Sequence, residues 1–142
     1  MKIDARLAFY VYCLVSVITA MLFPWALSDK NKFLEQFMNH EFLNFMGVVV
    51  TITLASTTNI HIALRRKEEA AGEEFLKGTR DKVKKSAFSL IWAMFFSVVL
   101  LVVKPLLPTV DEVSALTNAA GLGIILWGIL IILDITKLAF KL

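Results

Sequence analysis

The stretch VVVTITLASTTNIHIALRRKEEAAG, residues 48–72, decides how the rest of the chain is interpreted. Its first half is apolar but interrupted by hydroxyl and amide side chains, and it then reaches the cations Arg65, Arg66 and Lys67. An uncharged run that stops at a group of cations is typical of a transmembrane helix that emerges at the cytoplasmic surface. The stretch therefore predicts a membrane-spanning helix that carries unusually many polar side chains.

The composition of the whole chain supports a membrane protein. Hydrophobic residues make up 58% of the 142 residues, and the mean hydropathy is +0.72. A soluble domain usually contains about 45 to 50% apolar residues. We expect one membrane domain over residues 1–142.

Residues that carry catalysis or bind metals are scarce. Cys13 is the only cysteine, and His40 and His61 lie far apart without the spacing of metal ligands. The sequence contains no recognisable paired-carboxylate site, Ser/His/Asp set or glycine-rich phosphate loop. We therefore expect no enzyme activity, no cofactor and no metal.

Four runs without a charged residue are long enough to cross about 30 Å of hydrocarbon as helices. Lysine and arginine are retained on the cytoplasmic side, and twelve of them lie in the two termini and the middle segment 65–85, against three elsewhere. The sequence predicts an all-α, multi-pass protein with both termini and the middle segment in the cytoplasm. The middle segment is predicted to continue helices two and three. The predicted spans are residues 7–28, 42–64, 86–103 and 113–133.

Three of the spans carry a stripe of small or polar residues, because positions seven, eleven and fourteen apart return to nearly the same face of a helix. The stripe on the second span fits either the lining of a water-filled path or a seam for close helix packing. A pore would require a homo-oligomer, with a tetramer favoured, since four helices cannot both pack together and enclose a path. The stripes are Asn44, Thr51, Ala55, Thr58 on span two; Ser86, Ser89, Ala93, Ser97 on span three; and Ser114, Thr117, Gly121, Gly128 on span four.

The middle segment carries a basic face. Lys77, Arg80 and Lys84 recur at helical spacing, and Lys85 lies beside them. This face fits two kinds of partner. It can contact anionic lipid headgroups at the cytoplasmic surface, or it can bind a cytosolic nucleotide or oligonucleotide that gates the membrane part.

Two segments of the chain resemble a known family. ASTTNIHIALRRKEE, residues 55–69, followed by GTRDKVKKSAFSLIWAMFF, residues 78–96, is similar to small four-span bacterial membrane effectors of antiphage defence, most of all the Hailong-type effector. The resemblance implies an oligomeric ion channel in the cell inner membrane. It also implies that the product of a partner nucleotidyltransferase keeps the channel shut until infection. It assigns a role to no individual residue.

Two functions therefore remain open at the level of sequence. The first is a homo-oligomeric channel or depolarising effector, with span two lining the pore and the segment 65–85 regulating it. The second is a non-conducting membrane subunit that anchors or organises a cytosolic partner through the same segment.

Overall fold

The computed structural model describes residues 5–71 and 76–140. This part of the chain is all-helical. Its elements are α1 (Ala5–Leu22), α2 (Pro24–Leu27), α3 (Lys32–Phe37), α4 (His40–Ala71), α5 (Lys77–Val103), a 3-10 turn (Lys104–Leu106) and α6 (Asp111–Ala139).

Three of these helices, α4, α5 and α6, are long and apolar enough to cross a membrane. The number rises to four if α1 and the bent segment that follows it are counted as one span. The all-helical architecture and a set of three to four candidate spans thus agree with the sequence-based prediction.

The first span differs from the continuous helix predicted over residues 7–28. Its last helical hydrogen bond runs from the Phe23 amide to the Thr19 carbonyl, 2.8 Å. The chain then bends by 119° between Leu7–Leu22 and Pro24–Phe37. Pro24 explains the break, because a proline ring disfavours helical backbone at the residue before it and removes one amide donor. The 18 residues of α1 extend for about 27 Å, which is close to the hydrocarbon thickness.

The helices α4 and α5 are longer than a membrane is thick. They contain 32 and 27 residues, or about 48 and 40 Å at 1.5 Å per residue. Both therefore continue beyond the predicted spans, over residues 65–71 and 77–85. The four residues 72–75, which connect them, lie outside the described part of the chain.

The helix α6 lies at the centre of the fold and packs against α1, α2, α4 and α5. Two apolar clusters hold the bundle together. One, which includes Leu64, Val83 and Leu90, lies toward the connection between α4 and α5. The other, around Phe42 and Met46, lies toward the opposite end. We call these the connection end and the far end of the bundle.

Candidate functional site

The polar stripe of α4 faces outward. All four of its residues are exposed, whereas Phe42, Met46, Thr53 and Thr57 on the other side of the helix are buried. Thr53 and Thr57 are each two residues from the centre of the stripe, which places them about 160° around the helix axis from it. The outward residues are Asn44, Thr51, Ala55 and Thr58.

The hydroxyl groups of the stripe are satisfied within α4. Thr51 Oγ1 donates to the Gly47 carbonyl at 2.8 Å, and Thr58 Oγ1 donates to the Leu54 carbonyl at 2.9 Å. Such bonds to the carbonyl four residues earlier allow a threonine to lie in an apolar environment. The hydroxyls are therefore compatible with lipid, water or a neighbouring helix.

The amides on this side of α4 are different. Asn44 and Asn59 are both exposed, and neither side chain forms a hydrogen bond with any part of the chain that the structure describes. Asn59 lies five residues before Leu64, the last residue of the predicted span, or about 7.5 Å along the helix axis. Within a membrane-spanning helix, an amide at this position would need a partner from outside the described protomer.

The stripes of α5 and α6 lie inside the bundle. Ala93 and Ser97 on α5 are buried, and Trp127 Nε1 of α6 donates to Ser89 Oγ at 3.0 Å. On α6, a Cβ built at Gly121 would lie 1.7 Å from the Met38 Cε methyl. These two stripes are packing seams within one protomer, where small side chains permit close approach.

The basic face of the middle segment is divided by an ion pair. Arg80 Nη1 lies 2.8 Å from Glu68 Oε2, and the other oxygen of Glu68 accepts a hydrogen bond from the Leu76 amide at 2.9 Å. The Glu68 side chain is only 5% exposed. Arg80 therefore points inward and joins α5 to α4, and the predicted face of four cations is not one continuous surface.

The other three predicted basic residues are exposed on α5. Lys85 lines a cavity between α5 and α6, together with Lys82 and Lys137. Lys84 and Lys77 do not line it. Lys85 therefore shares a cavity with Lys82 and Lys137, which are not among the four residues of the predicted basic face.

A polar network at the far end of the bundle was not found by sequence reasoning. Lys104 Nζ donates to Asp29 Oδ1 at 2.8 Å and to Asn118 Oδ1 at 3.0 Å. Asn118 is fully buried, and its Nδ2 donates to the Leu27 carbonyl and to Asp29 Oδ1, each at 2.9 Å. The network connects the segment after α2, the end of α5 and the start of α6. Asn118, an amide in the predicted apolar span 113–133, was the sequence feature that could have indicated this network.

The charge of Asp29 is maintained by these contacts. Asp29 lies in the connection between α2 and α3, outside the four spans predicted from the sequence. Burial raises the pKa of its carboxyl group. The hydrogen bonds from Lys104 and Asn118, together with the Lys104 charge, outweigh this effect and hold the pKa below its usual value of 3.8. A second ion pair, Lys30 with Asp111, lies beside the network.

The described residues offer no metal centre, because no three His, Cys, Asp or Glu side chains within 5–71 and 76–140 lie together in a suitable group. Comparisons of this chain with protein-family models, with curated proteins and with solved structures give no match.

Proposed function

We propose that this protein is a homo-oligomeric membrane channel, with the polar stripe of α4 facing a central axis and the connection between α4 and α5 regulating it. In this proposal the chain is a multi-pass protein of the bacterial inner membrane with both termini in the cytoplasm. The single observation that carries the proposal is the outward orientation of the stripe, on the side of α4 opposite to the packed side.

The outward orientation matters because it removes one of the two explanations for the stripe. A seam for packing within the protomer would be buried, as Ala93, Ser97 and Thr117 of the other two stripes are. The exposed stripe of α4 must therefore contact lipid, another copy of the chain or water. From Asn44 to Thr58 it extends for about 21 Å along the axis, or roughly two thirds of the hydrocarbon thickness.

The asparagines favour water or another copy over lipid. Moving an amide from water into an apolar environment without a hydrogen bond costs about 2 to 7 kcal/mol. Asn44 and Asn59 both lie on the exposed side of α4 and form no hydrogen bond within the described chain. A water-filled path or a neighbouring α4 would provide the missing partners.

An outward stripe cannot line a path by itself. Each copy contributes one α4, so several copies are needed to surround an axis, and a tetramer is the arrangement that we favour. The small side chain of Ala55 at the centre of the stripe leaves room along such an axis, while the threonine hydroxyls on either side provide polar contacts for ions in transit.

Regulation is assigned to the connection end of the bundle. The Glu68–Arg80 pair fixes the start of α5 against the end of α4, so a ligand that displaced it would act directly on the helix that carries the stripe. The exposed amines of Lys84 and Lys85 are available to an anionic ligand. The resemblance to the Hailong-type effector suggests a nucleotide or oligonucleotide, and a role in antiphage defence.

The proposal is tested by ion flux through purified protein in liposomes. We expect Thr51→Leu/Thr58→Leu to lower flux at least tenfold, because leucine replaces two polar groups at the axis with bulky apolar ones. Ser56→Leu is the matched control. It also replaces an exposed hydroxyl on α4, but it lies about 100° around the axis from Ala55 and should leave flux unchanged. Equal flux in the wild type and the double variant would contradict the proposal.

A non-conducting membrane anchor is the second candidate. The observation that favours it is that α4 and α5 continue as helices beyond the predicted spans. These helical extensions carry exposed cations. Under this function Lys77→Glu/Lys84→Glu would release a cytosolic partner, while the two leucine substitutions on α4 would have no effect. Arg80 is excluded from the test because its loss would break the pair with Glu68.

A further inference from the structure

A surface groove runs along α6, between α1 and α5. Its walls are aromatic, with Phe9 and Tyr12 on α1 and Trp92 and Phe96 on α5, and its volume is about 580 Å³. Its floor is formed by small residues of α6: Ala119, Ala120 and Gly123. Both α1 and α5 pack on α6, and the small residues of the floor leave an open groove between the two aromatic walls.

The tyrosine hydroxyl and the indole N–H of the groove already have hydrogen-bond partners. Tyr12 Oη donates to the Ala119 carbonyl at 2.6 Å, and Trp127 Nε1 donates to Ser89 Oγ at 3.0 Å. The surface left for an occupant is almost entirely apolar. An occupant would therefore be held by burial of hydrocarbon and not by hydrogen bonds.

A cationic cavity, the mouth, adjoins the groove. This second cavity between α5 and α6, about 520 Å³, shares Ser89 and Trp127 with the groove and continues toward the connection end. Lys82, Lys85 and Lys137 line this mouth, with Asp134 as the one carboxylate among its lining residues. No ion pair joins any of these three lysines to another residue in the described part of the chain.

We propose that the groove and the adjoining mouth bind one anionic phospholipid, with an acyl chain between α1 and α5 and the phosphate against Lys82 and Lys85. Both halves of the site match this ligand. The apolar groove accepts a hydrocarbon chain, and the mouth has three amines against one carboxylate. Lysines extend their alkyl stems along apolar surface while their ammonium groups reach the headgroup level. A soluble anion would use the mouth and leave the groove unused.

The location agrees with the distribution of lipids. The mouth lies at the connection end, which the excess of lysine and arginine assigns to the cytoplasmic side. Anionic lipids give the cytoplasmic leaflet its negative surface potential, and each nearby lysine adds an attraction to it. The inference requires membrane insertion but not ion conduction, so it stands or fails separately from the channel.

The test is the amount of lipid retained after purification from nanodiscs of equimolar phosphatidylglycerol and phosphatidylcholine, measured by native mass spectrometry. We expect the wild type to retain phosphatidylglycerol selectively. Lys82→Gln/Lys85→Gln should lower this retention at least tenfold, since each lysine near a headgroup contributes appreciably. The matched control, Lys30→Gln/Lys32→Gln, removes the same charge from two exposed positions, just before α3 and at its start, that do not line the mouth and should retain lipid as the wild type does.

A second variant tests the groove independently of charge. Ala120 is exposed and forms part of the floor, so Ala120→Leu fills the groove without altering a buried contact. It should lose phosphatidylglycerol although every lysine remains. Circular dichroism establishes that the variants are folded. The proposal is overturned by equal retention in the two lysine double variants, by equal retention of phosphatidylcholine, or by full retention in Ala120→Leu. Tight binding of inorganic phosphate by delipidated protein, unaffected by Ala120→Leu, would show a soluble-anion site and overturn it as well.

Discussion

Removal of Arg80 should destabilise the protein much more than removal of Glu68, although the two side chains form one ion pair. Glu68 is 5% exposed and receives two hydrogen bonds, one from Arg80 and one from the Leu76 amide. In Arg80→Met the carboxylate stays buried with only the amide as a partner. Breaking a buried pair in this way costs about 3 to 5 kcal/mol. We expect about 3 kcal/mol, because the Arg80 side chain is 24% exposed and water can partly replace it.

The reverse substitution leaves no buried charge. In Glu68→Gln the side-chain carbonyl still accepts from the Leu76 amide, and the Arg80 guanidinium can turn toward water. The cost should be about 1 kcal/mol, the usual net value of one hydrogen bond. The double variant Glu68→Gln/Arg80→Met should also lose about 1 kcal/mol, because it too has no unpaired carboxylate. The double variant is therefore expected to be more stable than Arg80→Met alone.

The assay is reversible unfolding in mixed micelles, with the free energy obtained from a titration with sodium dodecyl sulfate followed by circular dichroism. The control pair is Arg65 with Glu69, which is also an ion pair but is 69% and 63% exposed. Arg65→Met should cost less than about 0.5 kcal/mol, as exposed pairs do. Equal losses in Arg80→Met and Glu68→Gln, or a double variant less stable than both, would refute the reasoning.

Two further predictions concern the interior and use the same unfolding assay. Asn118→Leu removes three hydrogen bonds from a fully buried position and should lower the unfolding free energy by about 2 to 3 kcal/mol; an unchanged value would show that the far-end network is not structural. The glycines of α6 form a matched pair. Gly121→Ala would force the end of the buried Met38 side chain to move and should be less stable than Gly128→Ala. Gly128→Ala meets nothing within 4 Å and should stabilise by up to about 1 kcal/mol, since alanine is the better helix former. Equal effects of the two alanines would contradict this account.

The helical architecture could be predicted from the sequence because its uncharged apolar runs are long enough for helices that cross a membrane. An apolar run without charge must satisfy its backbone internally, so the length of the run indicates a helix without knowledge of its neighbours. The position at which α1 ends was not predicted, because charge patterning does not mark a break inside an uncharged run. The predicted span passed through Pro24, although proline chemistry marks that position as a break.

The sequence could not predict whether a stripe faces into the helix bundle or away from it. Asn44, Thr51, Ala55 and Thr58 have the same small and polar character as the buried stripes of α5 and α6, yet they lie on the opposite side of α4 from the packed surface. Periodicity shows which residues share a face but not what that face contacts. The tertiary arrangement of four helices decides this, through contacts between residues far apart in sequence.

The basic face shows a related difficulty. Helical spacing placed Arg80 with Lys77 and Lys84, since all three are cations on one helix. The structure pairs Arg80 with Glu68, twelve residues earlier, across a connection whose geometry the sequence does not specify. Lys82 and Lys137 were likewise not predicted to lie at one site. They line the same cavity only because α6 packs against α5 in the folded protein.

The central claim is that the stripe of α4 faces an axis shared by several copies of this chain. The measurement that tests it most directly is the oligomeric state of the purified protein in lipid nanodiscs by native mass spectrometry, which does not require the opening signal to be known. The account predicts a closed ring of about four or more subunits. A monomer would contradict it, because a single copy has no axis for the outward asparagines and threonines to surround.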